Sequence, residues 1–350
     1  MAVATQAQNL VQYAAMSNNP MVMAITDSLI DYGNVAVDIP LFTKATLIAN
    51  GARWEGNLPT VTWRPLNSEG QTTSGTPTSY QEQAYILTNY IDTDKYLVLD
   101  TNQIGSVRAN QANAYLKAQT YDFNFKYIKN DHITGDQNAP VGIRSRIDNG
   151  GIFGVRPENK IDCGGATADI SQASLTAKTG GAFLEMLDLL LWSVDSTDGT
   201  NVILYMNDYM IRRLNFVLRF MGTSGGLNQA QDQFNRTITT YKNAVIKDPG
   251  VKADQTTRII AGNAIPAGTG SVGETAAGAD STGASANFTS IYAVNYSEDH
   301  FYGWQFSEIN VQDLGLINNG VIYRTLIDWA VGLMNASTRS LGRLYDIKIG

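Results

Sequence analysis

The order of patterns along this chain predicts an α+β fold, in a subunit whose open surfaces are buried by neighbouring copies. Three stretches carry the prediction. Residues 51–99 read as a polar, extended hairpin, residues 105–131 as one long helix with apolar residues on more than one side, and residues 183–222 as helix, strand, helix. A protruding hairpin beside a helix of wide apolar surface suits an assembly better than a compact monomer, because a large uncovered apolar surface needs a partner.

Residues 1–50 read as an N-terminal arm without a core of its own: Ala14, Ala15 and Met16 precede a break at Asn18-Asn19-Pro20, and a short helical segment follows to Ile30. Within 51–100, Val61 and Trp63 alternate with Thr60, Thr62 and Arg64, the period of a half-buried strand. Tyr85, Leu87 and Ile91 mark the return strand, and Asn67 to Ser79 between them supplies Gly, Ser, Thr and Pro turn chemistry. Gly105 to Asp131 predicts a helix of roughly 40 Å at 1.5 Å per residue. Val107, Ala114, Ala118, Tyr121, Phe125 and Ile128 form one apolar face, and Ala112, Leu116, Phe123 and Tyr127 a second line beside or behind it.

Phe183, Met186, Leu187, Leu190, Leu191 and Val194 have the rhythm of a helix core face. Asn201 to Met206 reads as a short strand, and Asp208 as the cap of a helix through Leu214, Val217, Leu218 and Met221 that Gly222 stops. Pro266 to Asn287 is dominated by Gly, Ala, Ser and Thr. It offers too little apolar area to offset its ordering entropy, so a mobile surface loop is expected. Ile291 to Val294, Phe301 to Val311 and Val321 to Leu333 read as strands, with a helical tail allowed at the end.

The composition is 43% hydrophobic and 16% charged, with a formal net charge of -7. That acidity argues against a protein that wraps nucleic acid, which needs a basic footprint, but not against a shell that contains it. The start lacks the basic and apolar regions of a signal peptide, and the longest apolar run, Met186 to Val194, is interrupted by Asp188, so no membrane span is expected.

Candidate chemistry is sparse, and no catalytic, cofactor or metal site is expected. The lone Cys163 excludes an internal disulfide and reads as a small residue beside a turn, since no nucleophile signature surrounds it. His132 follows a helix end and His300 lies in the charged turn Glu298-Asp299-His300; with no HxxxH or HxH spacing, both are expected as solvated turn residues. Glu185 and Asp188 share a helix side at i, i+3 as a paired-carboxylate site would, yet an apolar helix needs such a wet face anyway. Arg212, Arg213 and Arg219 form a modest basic cluster, expected to bridge to a neighbouring subunit. No phosphate-binding glycine loop occurs.

The order of elements resembles the major capsid protein of tailed bacteriophages, the Hong Kong-97 fold. Arm, extended hairpin and long spine helix follow one another, then the turn Gly135-Asp136 with Pro140-Val141-Gly142-Ile143, similar to the family's Gly-Asp and Pro-Gly-Ile/Leu steps. Asn201 to Asn207 with Leu214 to Gly222 resembles the strand and helix of the axial domain, and Thr240 to Ile246 a further strand in which Asn243 stands in place of the family's glycine.

The resemblance implies an arm at 1–50, an extended loop at 51–100, a peripheral domain at 101–180 and 301–350 with spine helix 105–131, and an axial domain at 181–300 carrying the loop 266–287. It further implies pentamers and hexamers closing an icosahedral shell around double-stranded DNA, assembled in the bacterial cytoplasm and found in the virion. A separate scaffolding protein, a portal and a decoration protein are the implied partners, with no membrane and no cofactor. Some relatives cross-link subunits through a loop lysine. Here only Lys44 and Lys95 flank the region, so no such cross-link is expected. An encapsulin-like nanocompartment loading a protein cargo is the alternative, and an α+β enzyme using Glu185, Asp188 or His300 a remote one.

Overall fold

A computed structural model describes residues 35–53, 58–99, 107–164, 168–196, 199–222, 227–231, 237–262, 272–274, 280–282, 288–317 and 320–349. The arm up to residue 34 and the start of the expected spine helix lie outside them, as does most of loop 266–287. A short helix α1 (Val35–Asp38) leads to β1 (Leu41–Thr43) and β2 (Ile48–Arg53). Strand β3 (Thr78–Gln83) returns antiparallel to β2 and runs almost directly into β4 (Tyr85–Asp94), followed by α2 (Lys95–Leu99).

The hairpin therefore exists, but not where its clearest strand signal lies. Residues 58–77 contain no strand, and Val61 and Trp63 are 82% and 98% exposed. Alternation encodes a face to be buried, and nothing among the described residues buries this one.

The spine helix α3 (Val107–Lys129) spans 23 residues, about 35 Å. Its core face is mainly the second line: Leu116, Phe123 and Tyr127 are buried, joined by Ile128 of the first line, while Ala114 and Ala118 of the first line are exposed. Large side chains win the core contact because burial scales with apolar area, and alanines contribute little of it. Phe123 packs on Trp329 at 5.4 Å between ring centroids, seating the helix on a sheet. That sheet has the order β1-β13-β14-β4, with β13 (Phe301–Ile317) and β14 (Ile322–Asn335) at its centre. All ten residues of β4 pair in register with β14, from Ile322↔Asp94 to Val331↔Tyr85.

After the spine come α4 (Ile143–Asp148), α5 (Gly150–Phe153), β5 (Lys160–Asp162) and α6 (Ala177–Ser193). Thr176 and Thr179 cap α6 reciprocally, each side chain accepting from the other's backbone N–H. Phe183, Leu187, Leu190, Leu191 and Val194 are fully buried, as their spacing predicts, at about 1.5–3 kcal/mol for each large side chain.

Next are β6 (Val202–Tyr205) and α7 (Asp208–Phe220). The cap of α7 is Asn207, not Asp208. Its carboxamide oxygen accepts from Met210 N at 2.7 Å, and its amide donates to Gly262 O at 3.0 Å. Then follow β7 (Leu227–Gln231), β8 (Thr237–Tyr241), β9 (Ala244–Lys247), β10 (Val272–Glu274), β11 (Asp280–Thr282), β12 (Phe288–Asn295) and β15 (Leu341–Lys348). Strands β10 and β11 form a small hairpin inside the stretch expected to be a mobile surface loop.

The second sheet has the order β5-β15-β12-β6-β9-β8-β7. The end of the chain is thus a strand in this sheet rather than a helical tail: Leu341 and Leu344 are buried on it, and Ile291↔Leu344 is in register with β12. One core lies between the spine helix and the first sheet, and the other gathers α6 and α7 on the second. Among the described residues no helix is long and apolar enough to cross a membrane.

Candidate assembly interface

The residues with catalytic potential do not converge. Cys163 is buried, and desolvation with Asp162 and Asp346 nearby pushes its thiol up to about 12, too high for a nucleophile at neutral pH. Asp188 accepts from Tyr241 Oη at 2.8 Å and pairs with Lys242 Nζ at 2.8 Å, while Glu185 stays exposed on the same helix. His300 shares a hydrogen bond with Ser297 Oγ at 2.8 Å and lies 3.7 Å from an Asp195 carboxylate oxygen. His132 departs from the expected solvated turn: its Nδ1 is buried, and its ring meets Tyr85 edge-on at 6.1 Å.

Arg212 pairs with its own Asp208 at 3.1 Å. Arg213 is buried against Ile170 O, so the basic cluster is spent partly inside the subunit. Among the described residues no group of three or more His, Cys, Asp or Glu could hold a metal ion.

The organised chemistry lies instead at the base of the hairpin. Arg146 of α4 is fully buried. It donates to both carboxylate oxygens of Glu82 on β3, at 2.5 and 3.2 Å, and also to Val141 O at 3.2 Å and Leu333 O at 3.3 Å. From the opposite direction Arg53 of β2 donates to Ala336 O at 3.3 Å and to Asn335 O, with its guanidinium 4.1 Å from the centre of the Tyr80 ring. Body grips hairpin through one arginine and hairpin grips body through the other. Charge-assisted bonds of this kind are directional, so they fix the angle at which the hairpin leaves.

Arg146 is placed by the turn after the spine. Asn130, buried at its end, donates to Asp136 O and Pro140 O, each at 2.9 Å, while Gly142 N donates to Asn130 O at 3.1 Å. Lys126 Nζ pairs with Asp136 at 2.7 Å. The Gly-Asp and Pro-x-Gly steps thus fold the chain back against the helix end. Hydrogen bonds from Thr134 to Asp131 and from Lys126 to Asp136 hold both carboxyls below the usual range.

A carboxylate whose folded pKa is depressed contributes stability that is present above its unfolded pKa and lost as pH falls through its folded one. Amides of 130–142 are therefore expected to lose hydrogen-exchange protection below about pH 4, before the core of α6 does. Equal protection of both segments down to full acid unfolding would contradict this.

Outward from that base the hairpin presents apolar residues to solvent: Leu58, Val61, Trp63 and Leu66 on the tip, with Ile86 and Tyr90 on β4 below. Such a run on a projecting element is the mark of an interface.

The sequence matches no known family profile and no curated protein. The coordinates do match solved particles. The holo-SrpI encapsulin complex from Synechococcus elongatus PCC 7942 is similar with a TM-score of 0.55 at 10% identity, over 97% of this chain and 95% of that one. The capsid of the native GTA particle gives 0.53 at 10% identity, over 91% and 90%, and the capsid of Myoviridae phage XM1 gives 0.52 at 10% identity, over 87% and 89%.

The chain has the Hong Kong-97 capsid fold. Near-complete coverage in both directions makes this a likeness of whole chains.

One cluster in the capsid-fold subunit went unmarked in the sequence. Tyr127, Tyr205 and Tyr296 meet through their hydroxyls, Tyr205 donates to Asp38 at 3.2 Å, and Lys247 pairs with Asp38. Burial pushes the Asp38 carboxyl and all three phenols up. The cluster ties α1 to the spine helix and the second sheet. Its members are spread from residue 38 to 296, so no local spacing could signal it.

Proposed function

We propose that this chain is the major capsid protein of a tailed bacteriophage, many copies of which close an icosahedral shell of pentamers and hexamers around double-stranded DNA. The observation that carries the reading is the pairing of a capsid fold over almost the whole chain with a clasped hairpin whose apolar tip has no cover among the described residues. In this reading the hairpin of 51–100 lies across the neighbour and the spine helix supports it. Residues 1–50 form the arm, 101–180 and 301–350 the peripheral domain, and 181–300 the axial domain, whose loops meet around the capsomer axes.

An acidic subunit, at formal charge -7, adheres weakly to the DNA it encloses, which favours packing and later release. A scaffolding protein and a portal would guide assembly in the host cytoplasm, with a decoration protein as a further partner, and no catalytic step belongs to the subunit. The encapsulin likeness, with 97% of this chain covered, favours a nanocompartment as the second reading, in which the lumen holds a protein cargo.

Negative-stain electron microscopy with light scattering on the chain, expressed alone and with its neighbouring genes, tests both. Closed shells, or rings of five and six, are expected, and nucleic acid or protein inside them separates the two readings. Persistent compact monomers or dimers in both preparations would overturn the shell.

A further inference from the structure

The tip segment Thr60-Val61-Thr62-Trp63-Arg64 has the alternation of a strand, yet among the described residues it pairs with no strand, and its apolar members are 82% and 98% exposed. The same subunit offers an open strand edge. In the order β1-β13-β14-β4, strand β4 is terminal, and among the described residues no strand pairs with its outer side. It pairs with β14 in unbroken register over ten residues and carries no proline, lysine or arginine. Edge strands that must stay unpaired are usually blunted by such residues or by bulges.

The other open edge, β13 beyond its contact with β1, is blunted in that way: its register shifts three times, between Gln305/Ser307, Ser307/Asn310 and Asp313/Gly315. Exposed Ile86 and Tyr90 give the β4 edge an apolar surface. The tip matches that surface with Val61 and Trp63, which share one face of an extended strand.

We propose that Thr60–Arg64 of one copy adds as a further strand to the outer edge of β4 in a second copy. The pairing rests on the shell reading and specifies how the hairpin grips its neighbour: backbone hydrogen bonds supply the attachment, and the alternating side chains of the tip supply its register.

Cysteine pairing in the full chain tests it, because buried Cys163 leaves introduced thiols as the reactive ones. Chains carrying Val61→Cys, on the same face of the tip as Trp63, are co-assembled with chains carrying Ile86→Cys, Thr88→Cys, Tyr90→Cys or Asp92→Cys, which share one face of β4, and treated with oxidised glutathione. Disulfide-linked dimers are expected at one or two adjacent positions of that series and not at the rest. In parallel, proline is introduced as Val61→Pro and as Thr62→Pro, whose N–H groups point to opposite sides of the added strand. The one whose N–H faces β4 is expected to raise the concentration needed for assembly about tenfold, because proline cannot donate to a ladder. Thr62→Ala is expected to leave that concentration nearly unchanged, and none of these changes should move the melting of the isolated subunit.

Shells that form without a cross-link at any of the four positions, or that tolerate proline at both positions as well as alanine, would overturn the strand pairing and leave the shell reading intact. Failure of the unaltered chain to form any shell would take both down.

Discussion

Replacing Arg146 by methionine is expected to cost the subunit about 3–5 kcal/mol, because it leaves one member of a buried ion pair without its partner. Methionine fills much of the arginine's volume but returns none of its bonds to Glu82, Val141 O and Leu333 O. Urea unfolding followed by tryptophan fluorescence measures the loss. Combining it with Glu82→Leu should recover a substantial part, since two apolar residues can replace a pair whose charges were costly to desolvate. A single-variant loss below about 1 kcal/mol would place the pair among solvated surface bridges, which are worth no more than that, and would remove the clasp from the account of hairpin orientation.

Gly142→Ala is expected to be nearly as damaging, at about 3 kcal/mol, the upper range for overpacking. A Cβ there would lie 2.6 Å from Asn130 N, 2.7 Å from Asn130 O and 2.9 Å from Lys126 O. All three are backbone atoms of the spine's last turn, so relief requires moving the helix end rather than a side chain. Nearby Gly151 has open space around it. Gly151→Ala is therefore the matched control and should change stability by less than about 0.5 kcal/mol, as surface substitutions do. Equal effects of the two would show that the turn yields freely.

Much of this architecture was legible before any coordinates. The helix at Phe183 to Val194 and the strands at Asn201 to Met206 and Phe301 to Val311 each carry a local period, and each occurs. The readings that failed depend on what a residue faces. Val61 and Trp63 alternate as a strand does, but among the described residues they have no partner strand. The spine helix is apolar on two sides, and only the neighbouring Trp329 and its sheet decide that Phe123 and Tyr127 form the inner one.

The Gly-Asp to Pro-x-Gly turn was visible as a motif, whereas its purpose, returning α4 so that Arg146 reaches Glu82, was not. The ion pair joins residues 64 positions apart, and no spacing rule reaches across that distance. The Asp38 and tyrosine cluster was illegible for the same reason.

The near-continuous run of β3 into β4 also has a mechanical meaning. A pull on the hairpin tip travels along one strand into ten residue pairs with β14 that lie parallel to the force. Loaded in that direction the ladder is sheared, so its hydrogen bonds share the load and must fail together. A hairpin rooted at a right angle to its sheet would open one bond at a time. The subunit is built as a tension member, with its grip at one end of a strand and its anchorage along the whole of the other.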